Sequence, residues 1–208
     1  MALPDILPDE VLAADTADAE SDAVKLHQWT REEYEQAAEA GLFQDRRVEL
    51  VDGALYDMAA QKSPHATSVR LVTRALDKLF KKGYDVRPQM PFSLGRLSEP
   101  EPDIAVVTGS PRDYRGHHPS TAVLIVEVAD SSQYHDRKRK AALYAQAEIP
   151  DYWIVNLRFN HVEVLRDPGG GVYQTRQIYR RGETIAPLAR PKAALLVDDL
   201  LPDDAPAS

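Results

Sequence analysis

Four polar side chains, Asp103, Glu127, Glu49 and Lys140, set the chemistry open to this chain. Glu127 stands in the run 121–129, TAVLIVEVA, which is apolar on both alternating faces and has the pattern of a strand covered on both sides. A bare carboxylate in such a strand is expelled or neutralised unless a cation or a partner meets it. If residues 104–107 and 122–128 pair antiparallel, facing positions have a constant index sum, and a pairing centred on Arg115 sets Asp103 beside Glu127. That centre falls in the turn-rich stretch 109–119, which carries Gly109, Pro111, Gly116 and Pro119. Two carboxylates converging at strand ends suit a hard divalent cation, Mg²⁺ or Mn²⁺, which takes oxygen ligands and keeps several waters. The competing reading is a carboxylate paired with a nearby arginine or capping a loop, since perturbed acids mark functional sites only as a tendency.

The elements that must position these groups follow from periodicity and punctuation. Thr30 and Glu33 form a capping box for a helix to about Ala40, stopped by Gly41. Residues 48–51 and 54–56 flank Asp52-Gly53, a strong hairpin signal, with Glu49 on its first strand. A long amphipathic helix runs from about His65, with Val69, Val72, Leu76, Leu79 and Phe80 on its apolar side and Gly83 at its end. A strand is expected near 84–86, an extended piece near Phe92, and then the strands that carry Asp103 and Glu127. After a turn at Ser131 and Ser132, a helix of about 136–147 puts Asp136, Lys140 and Tyr144 on one face. Strands at 152–156, 161–166 and 172–179 complete a mixed α/β fold, a central sheet with helices against it.

Composition bounds the rest. The 208 residues, 43% hydrophobic and 28% charged, suffice for one domain with a substantial core. We expect that domain over 26–201, an acidic, disordered or loosely attached arm over 1–25, and a frayed tail over 202–208. The absence of cysteine fits a reducing cytoplasm, and neither an export signal nor an eighteen-residue apolar run is present, so a membrane is not an expected partner. The net charge of −8 is uneven. Residues 1–25 and 198–208 hold eleven of the 33 acids and one of the 25 bases, which leaves the body with 22 acids against 24 bases. A nucleic-acid partner is therefore not excluded.

In order and spacing, the segments Arg47-Val-Glu-Leu-Val-Asp-Gly53, Ser63-Pro-His65, Glu101-Pro-Asp103, Val126-Glu-Val128 with Ser131 and Ser132, Asp136 and Lys140 with Tyr144, and Ile149-Pro-Asp-Tyr-Trp-Ile-Val155 resemble the Uma-two family of restriction-endonuclease-like proteins. The resemblance covers roughly residues 29–201. It implies a PD-(D/E)XK nuclease-type core with a Mg²⁺ or Mn²⁺ site, hydrolysing phosphodiester bonds of DNA. Asp103 and Glu127 then match the metal-binding acids, joined by the backbone carbonyl of Val128. Glu49 matches a further acid near the metal, and Lys140 a catalytic lysine carried on the helix. His65 and Tyr144 are accessory. The chain departs from the parent nuclease motif at Ala129, where the usual lysine is missing, so Lys140 must supply the ammonium. It departs again at Glu148, where relatives resemble a glycine.

Duplex binding would fall to Arg137, Lys138 and Arg139, and to Arg112, Arg115, His117 and His118 on the hairpin loop. Each group also has a plain reading. The basic run could be a solvated helix face, His65 could cap or pack, and Tyr152 and Trp153 read as core. A glycosidase would need a sugar-lined cleft, of which there is no sign. A catalytically idle relative that binds DNA or protein through the same fold stays open. Cutting both strands of a duplex with one small site would be easiest for a homodimer.

Overall fold

A computed structural model describes residues 25–130 and 134–203, with backbone alone for 134–137. The arm expected over 1–25, the tail over 202–208 and the turn at Ser131 and Ser132 lie almost wholly or wholly outside the described residues.

Thr30 caps α1 (Arg31–Glu39) with the expected reciprocal capping box to Glu33, and Gly41 follows at φ +83°. The β1 (Val48–Val51) and β2 (Ala54–Asp57) strands close through Asp52 and Gly53, whose φ of 50° and 75° fit a tight primed turn. Pro64 opens α2 (Ser63–Leu79), whose apolar stripe Val69, Val72, Ala75 and Leu76 is buried. The helix stops at Leu79 and not at Gly83, which instead takes φ +90° in the turn to the next strand.

Six strands then form the central sheet: β3 (Tyr84–Pro88), β4 (Ile104–Thr108), β5 (Leu124–Ala129), β6 (Asp151–Asn156), β7 (His161–Gly169) and β8 (Val172–Arg180), ordered as in the chain. All neighbours are antiparallel except β5 and β6, which are parallel. Parallel neighbours need a crossover, and α3 (Tyr134–Gln146) supplies it. The β7–β8 hairpin turns tightly on Gly170 and Gly171, because Gly169 already pairs with Val172. A short pair, β9 (Thr184–Ile185) and β10 (Leu195–Leu196), ends the fold. Among the described residues no helix is long and apolar enough to cross a membrane.

Strand parity sorts the core into two layers. Ile104, Val106, Leu124, Val126, Trp153 and Val155 pack with α2 on one face; Ala105, Val107, Ile125, Tyr152 and Ile154 pack with Leu143 and Tyr144 of α3 on the other. Trp153 and Tyr152 are both fully buried, as their plain reading as core requires. Odd-numbered residues of β5 thus look toward α3, so Glu127 meets that helix.

A candidate active site at the ends of two strands

The pairs Ile104 with Val126 and Ala105 with Ile125 are in the register expected from a centre at Arg115. One step beyond them stand Asp103 and Glu127. Four side chains that water would ordinarily claim converge there: Glu49, Asp103, Glu127 and Lys140 are each 8% exposed or less. They line a cavity of about 570 Å³ with His65, Gln89, Arg47, Tyr56, Lys62 and Arg139 on its walls.

Each group has an identifiable support. Lys140 projects from α3 and places Nζ 3.2 Å from Glu49 Oε2 and 3.5 Å from Glu127 Oε1. One turn on, the Tyr144 hydroxyl donates to Glu127 Oε1 at 2.9 Å. Asp103 accepts from the Val128 N–H at 2.8 Å and from Gln89 Nε2 at 3.3 Å, and its Oδ2 lies 3.1 Å from His65 Nε2. Glu49 reaches the site because its hairpin is stitched to the chain leading into Asp103. Glu99 donates its N–H to the Leu50 carbonyl, Gly53 to Leu97, and the Glu101 N–H meets Glu49 Oε2 at 3.3 Å. Arg47 pairs with Glu101 on the rim.

Burial, hydrogen bonds and neighbouring charge together set the titration of these groups. Burial pushes Glu127 up to about 8; Lys140 opposes the rise, while Asp103 and Glu49 add to it. Burial also raises Asp103, but the bond and charge of His65 and the Val128 N–H more than offset it, so its carboxyl lies below the usual range. The Asp103 bond holds His65 above its ordinary value despite burial. Burial lifts Tyr144 well above the usual phenol range, with the Glu127 charge next.

Three carboxyl groups, one lysine and one histidine face one another in this pocket. Among the described residues no three His, Cys, Asp or Glu side chains form a ready-made metal cluster. A metal would thus rest on the two strand-end acids, a backbone carbonyl and water. The Val128 carbonyl faces this edge, because in an extended strand it lies on the same side as the N–H directed at Asp103. An all-oxygen set of this kind is the type that Mg²⁺ or Mn²⁺ takes, and burial raises Glu127, so that its ionised form depends on nearby positive charge.

The basic residues divide differently. Arg139 lies against the Tyr56 ring at 3.6 Å and lines the cavity. Lys138 is exposed, and the side chain of Arg137 lies outside the described residues. Arg112, Arg115, His117 and His118 are not brought to the site. The hairpin that sets Asp103 beside Glu127 carries its connecting loop to the opposite ends of β4 and β5. Sequence reasoning missed Gln89, Arg47 and Glu101 as parts of the site. Gln89 adopts φ +51°, a strained conformation for a residue with a Cβ, and bonds Asp103 through both side chain and backbone. Its only sequence signal is its place after Pro88.

Comparison with known proteins bears on the fold and the family. Among solved structures, the chain is similar to a crystal structure titled as a putative nuclease belonging to DUF820 from Anabaena variabilis ATCC 29413. The TM-score is 0.63 and the identity 14%, over 75% of this chain and 90% of that one, a likeness of fold. No curated protein matches the sequence. The family model Uma2, described as "Putative restriction endonuclease", matches residues 31–197, which contain every site residue named above. The chain belongs to the Uma2 family.

Proposed function

We propose that the protein is a metal-dependent DNA endonuclease that hydrolyses phosphodiester bonds in the cavity between β1, β5 and α3. The observation that carries this reading is the buried Lys140 ammonium, held between Glu49 and Glu127 while strand position 129 is alanine. An ammonium is costly to bury and contributes little to stability when its neighbours could be apolar, so its retention fits a chemical task. Bound Mg²⁺ or Mn²⁺, held by Asp103, Glu127 and the Val128 carbonyl, would polarise a phosphate oxygen and acidify a water.

The chain's own groups do the rest. Lys140 stabilises charge developing on the phosphate or orients the attacking water, as a preorganised cation does in a site shielded from solvent. Tyr144 fixes the Glu127 carboxyl, and His65 and Gln89 fix Asp103, so neither acid must reorganise. Glu49 anchors the other side of Lys140 and limits where its flexible stem can reach.

Nicking of supercoiled plasmid with Mg²⁺ or Mn²⁺ tests the assignment. Glu127→Ala and Lys140→Ala should each lower the rate by about 10²-fold or more, and Asp103→Ala should weaken metal binding. Equal rates in all variants, or loss in Asp103→Ala with metal affinity intact, would sink it. A second reading, a relative that binds DNA or protein without cutting, is favoured by one observation: Glu127 and Asp103 already have protein partners. Metal-independent plasmid binding with no nicking in any cation would select it.

A further inference from the structure

Helix α2 has two unlike faces. Val69, Val72, Ala75 and Leu76 are buried against the sheet, whereas Arg70, Arg74 and Lys78 are exposed on the far side. Spaced four apart, these three form one stripe with about 6 Å between successive residues along the axis. Lys62 precedes the helix, and Lys81 and Lys82 follow it. Segment 62–82 thus holds six bases against the single acid Asp77, in a chain of net charge −8.

Like charges four apart repel, so a helix gains nothing from this arrangement by itself. Nor are the charges spent inside the fold. Lys62 pairs with Asp130 at 3.5 Å, but among the described residues the side chains of Arg70, Arg74, Lys78, Lys81 and Lys82 have no hydrogen-bonding or ionic partner. The stripe begins where the site begins: Lys62 and His65, at the N-terminal end of α2, line the cavity, and His65 contacts Asp103.

The geometry points to the outer face of α2 as the track for the sugar-phosphate backbone of duplex DNA, leading to the cavity at the helix's N-terminal end. This deepens the nuclease reading and rests on it for the choice of substrate. Seventeen helical residues extend about 25 Å, some seven base-pair rises, enough to follow the backbone over most of a turn. Single strands are bound on aromatic platforms, and the exposed positions of α2, Thr67, Arg70, Arg74, Asp77 and Lys78 among them, present no aromatic ring. A row of charges without base-reading geometry grips phosphates regardless of sequence.

The test is anisotropy of a labelled duplex of roughly 20 base pairs, long enough to cover the track, titrated with the full chain without divalent cations across a range of NaCl concentrations. The variants are Arg70→Gln with Arg74→Gln and, for the same charge change elsewhere, Arg96→Gln with Arg158→Gln. The α2 variant should bind at least about tenfold more weakly, and its slope of log affinity against log salt should fall by about 2, near 0.9 for each lost phosphate contact. The control should match wild type. Wild-type affinity and slope in the α2 variant overturn the track, whatever the plasmid assay gives. Equal losses in both pairs overturn it too, as would tighter wild-type binding to polyglutamate than to duplex. Hydrolysis of bis(p-nitrophenyl) phosphate with Mn²⁺ separates this from the nuclease reading, because that small diester needs the site and not the track. Weakened duplex binding with no diester hydrolysis in any protein keeps the track and removes the nuclease.

Discussion

Glu127 keeps its proton to about pH 8 even with an ammonium 3.5 Å away, because burial outweighs the attraction of Lys140. The sign of the consequence follows from linkage. An unfolded chain releases this proton near 4.5 and the folded one near 8, so between those values the folded state binds more protons and its stability falls as pH rises. A divalent cation needs the ionised carboxylate and must displace the proton. Calorimetric melting should therefore find a metal-free protein that loses stability from pH 5 to pH 8, and a larger Mg²⁺-induced gain in Tm on the alkaline side. Tyr144→Phe removes a bond that favours the ionised form. The acid limb of the pH–rate profile should move to higher pH in that variant, at a stability cost of about 1 kcal/mol; an unmoved limb would argue that another group controls it.

At the C-terminus of α3, the Ile149 N–H bonds the Tyr144 carbonyl and the Glu148 N–H that of Ala145, a Schellman closure with Glu148 at φ +55°. That left-handed position explains the glycine expected there, because a Cβ is strained in it. Glu148→Gly should stabilise the protein by about 0.5–1 kcal/mol in chemical denaturation, after the added chain entropy of glycine is subtracted. Plasmid nicking should not change. Elements with local signals were legible: the capping box, the Asp52-Gly53 hairpin and the β4–β5 register each depend on a few neighbouring residues. Glu49 and Lys140 came from resemblance, since nothing local sets a strand of the first hairpin against α3. Gln89 and Glu101 were illegible because the chain between Pro88 and Asp103 has no period, and long-range bonds determine its course. Arg112 and Arg115 stand on the hairpin loop as expected, and the same register that joins Asp103 to Glu127 carries that loop to the far ends of β4 and β5.

For the molecule as a whole, charge is separated along the chain. Residues 1–24 hold seven acids and no base, so removing them takes the net charge from −8 to −1. Long-range fields act on encounter with a polyanion more than on fold. A chain starting at Lys25 should bind duplex DNA faster and more tightly than the full chain at low salt, with the difference fading as the Debye length shrinks; stopped-flow association at two ionic strengths checks this. No change at low salt would show that the acidic segment stays far from the binding face. Under the proposed nuclease reading, the near-neutral body leaves the surface of α2 and the cavity to set where duplex DNA lands.

The β4–β5 hairpin keeps its chemistry at one end and its connection at the other. The exposed tip at residues 115–117 can thus accept added length or an inserted domain without moving Asp103 or Glu127, whereas the loop on either side of it is tied to the body, Gly109 by its N–H to the Gly83 carbonyl and Pro119 by its carbonyl to the Ser93 N–H. The helix of the crossover has no such latitude. One residue added within α3 before Lys140 turns that ammonium and the Tyr144 hydroxyl about 100° around the axis and away from both glutamates. Length can therefore change at the tip of the hairpin loop without cost to the site, while the helix requires a strict count of residues.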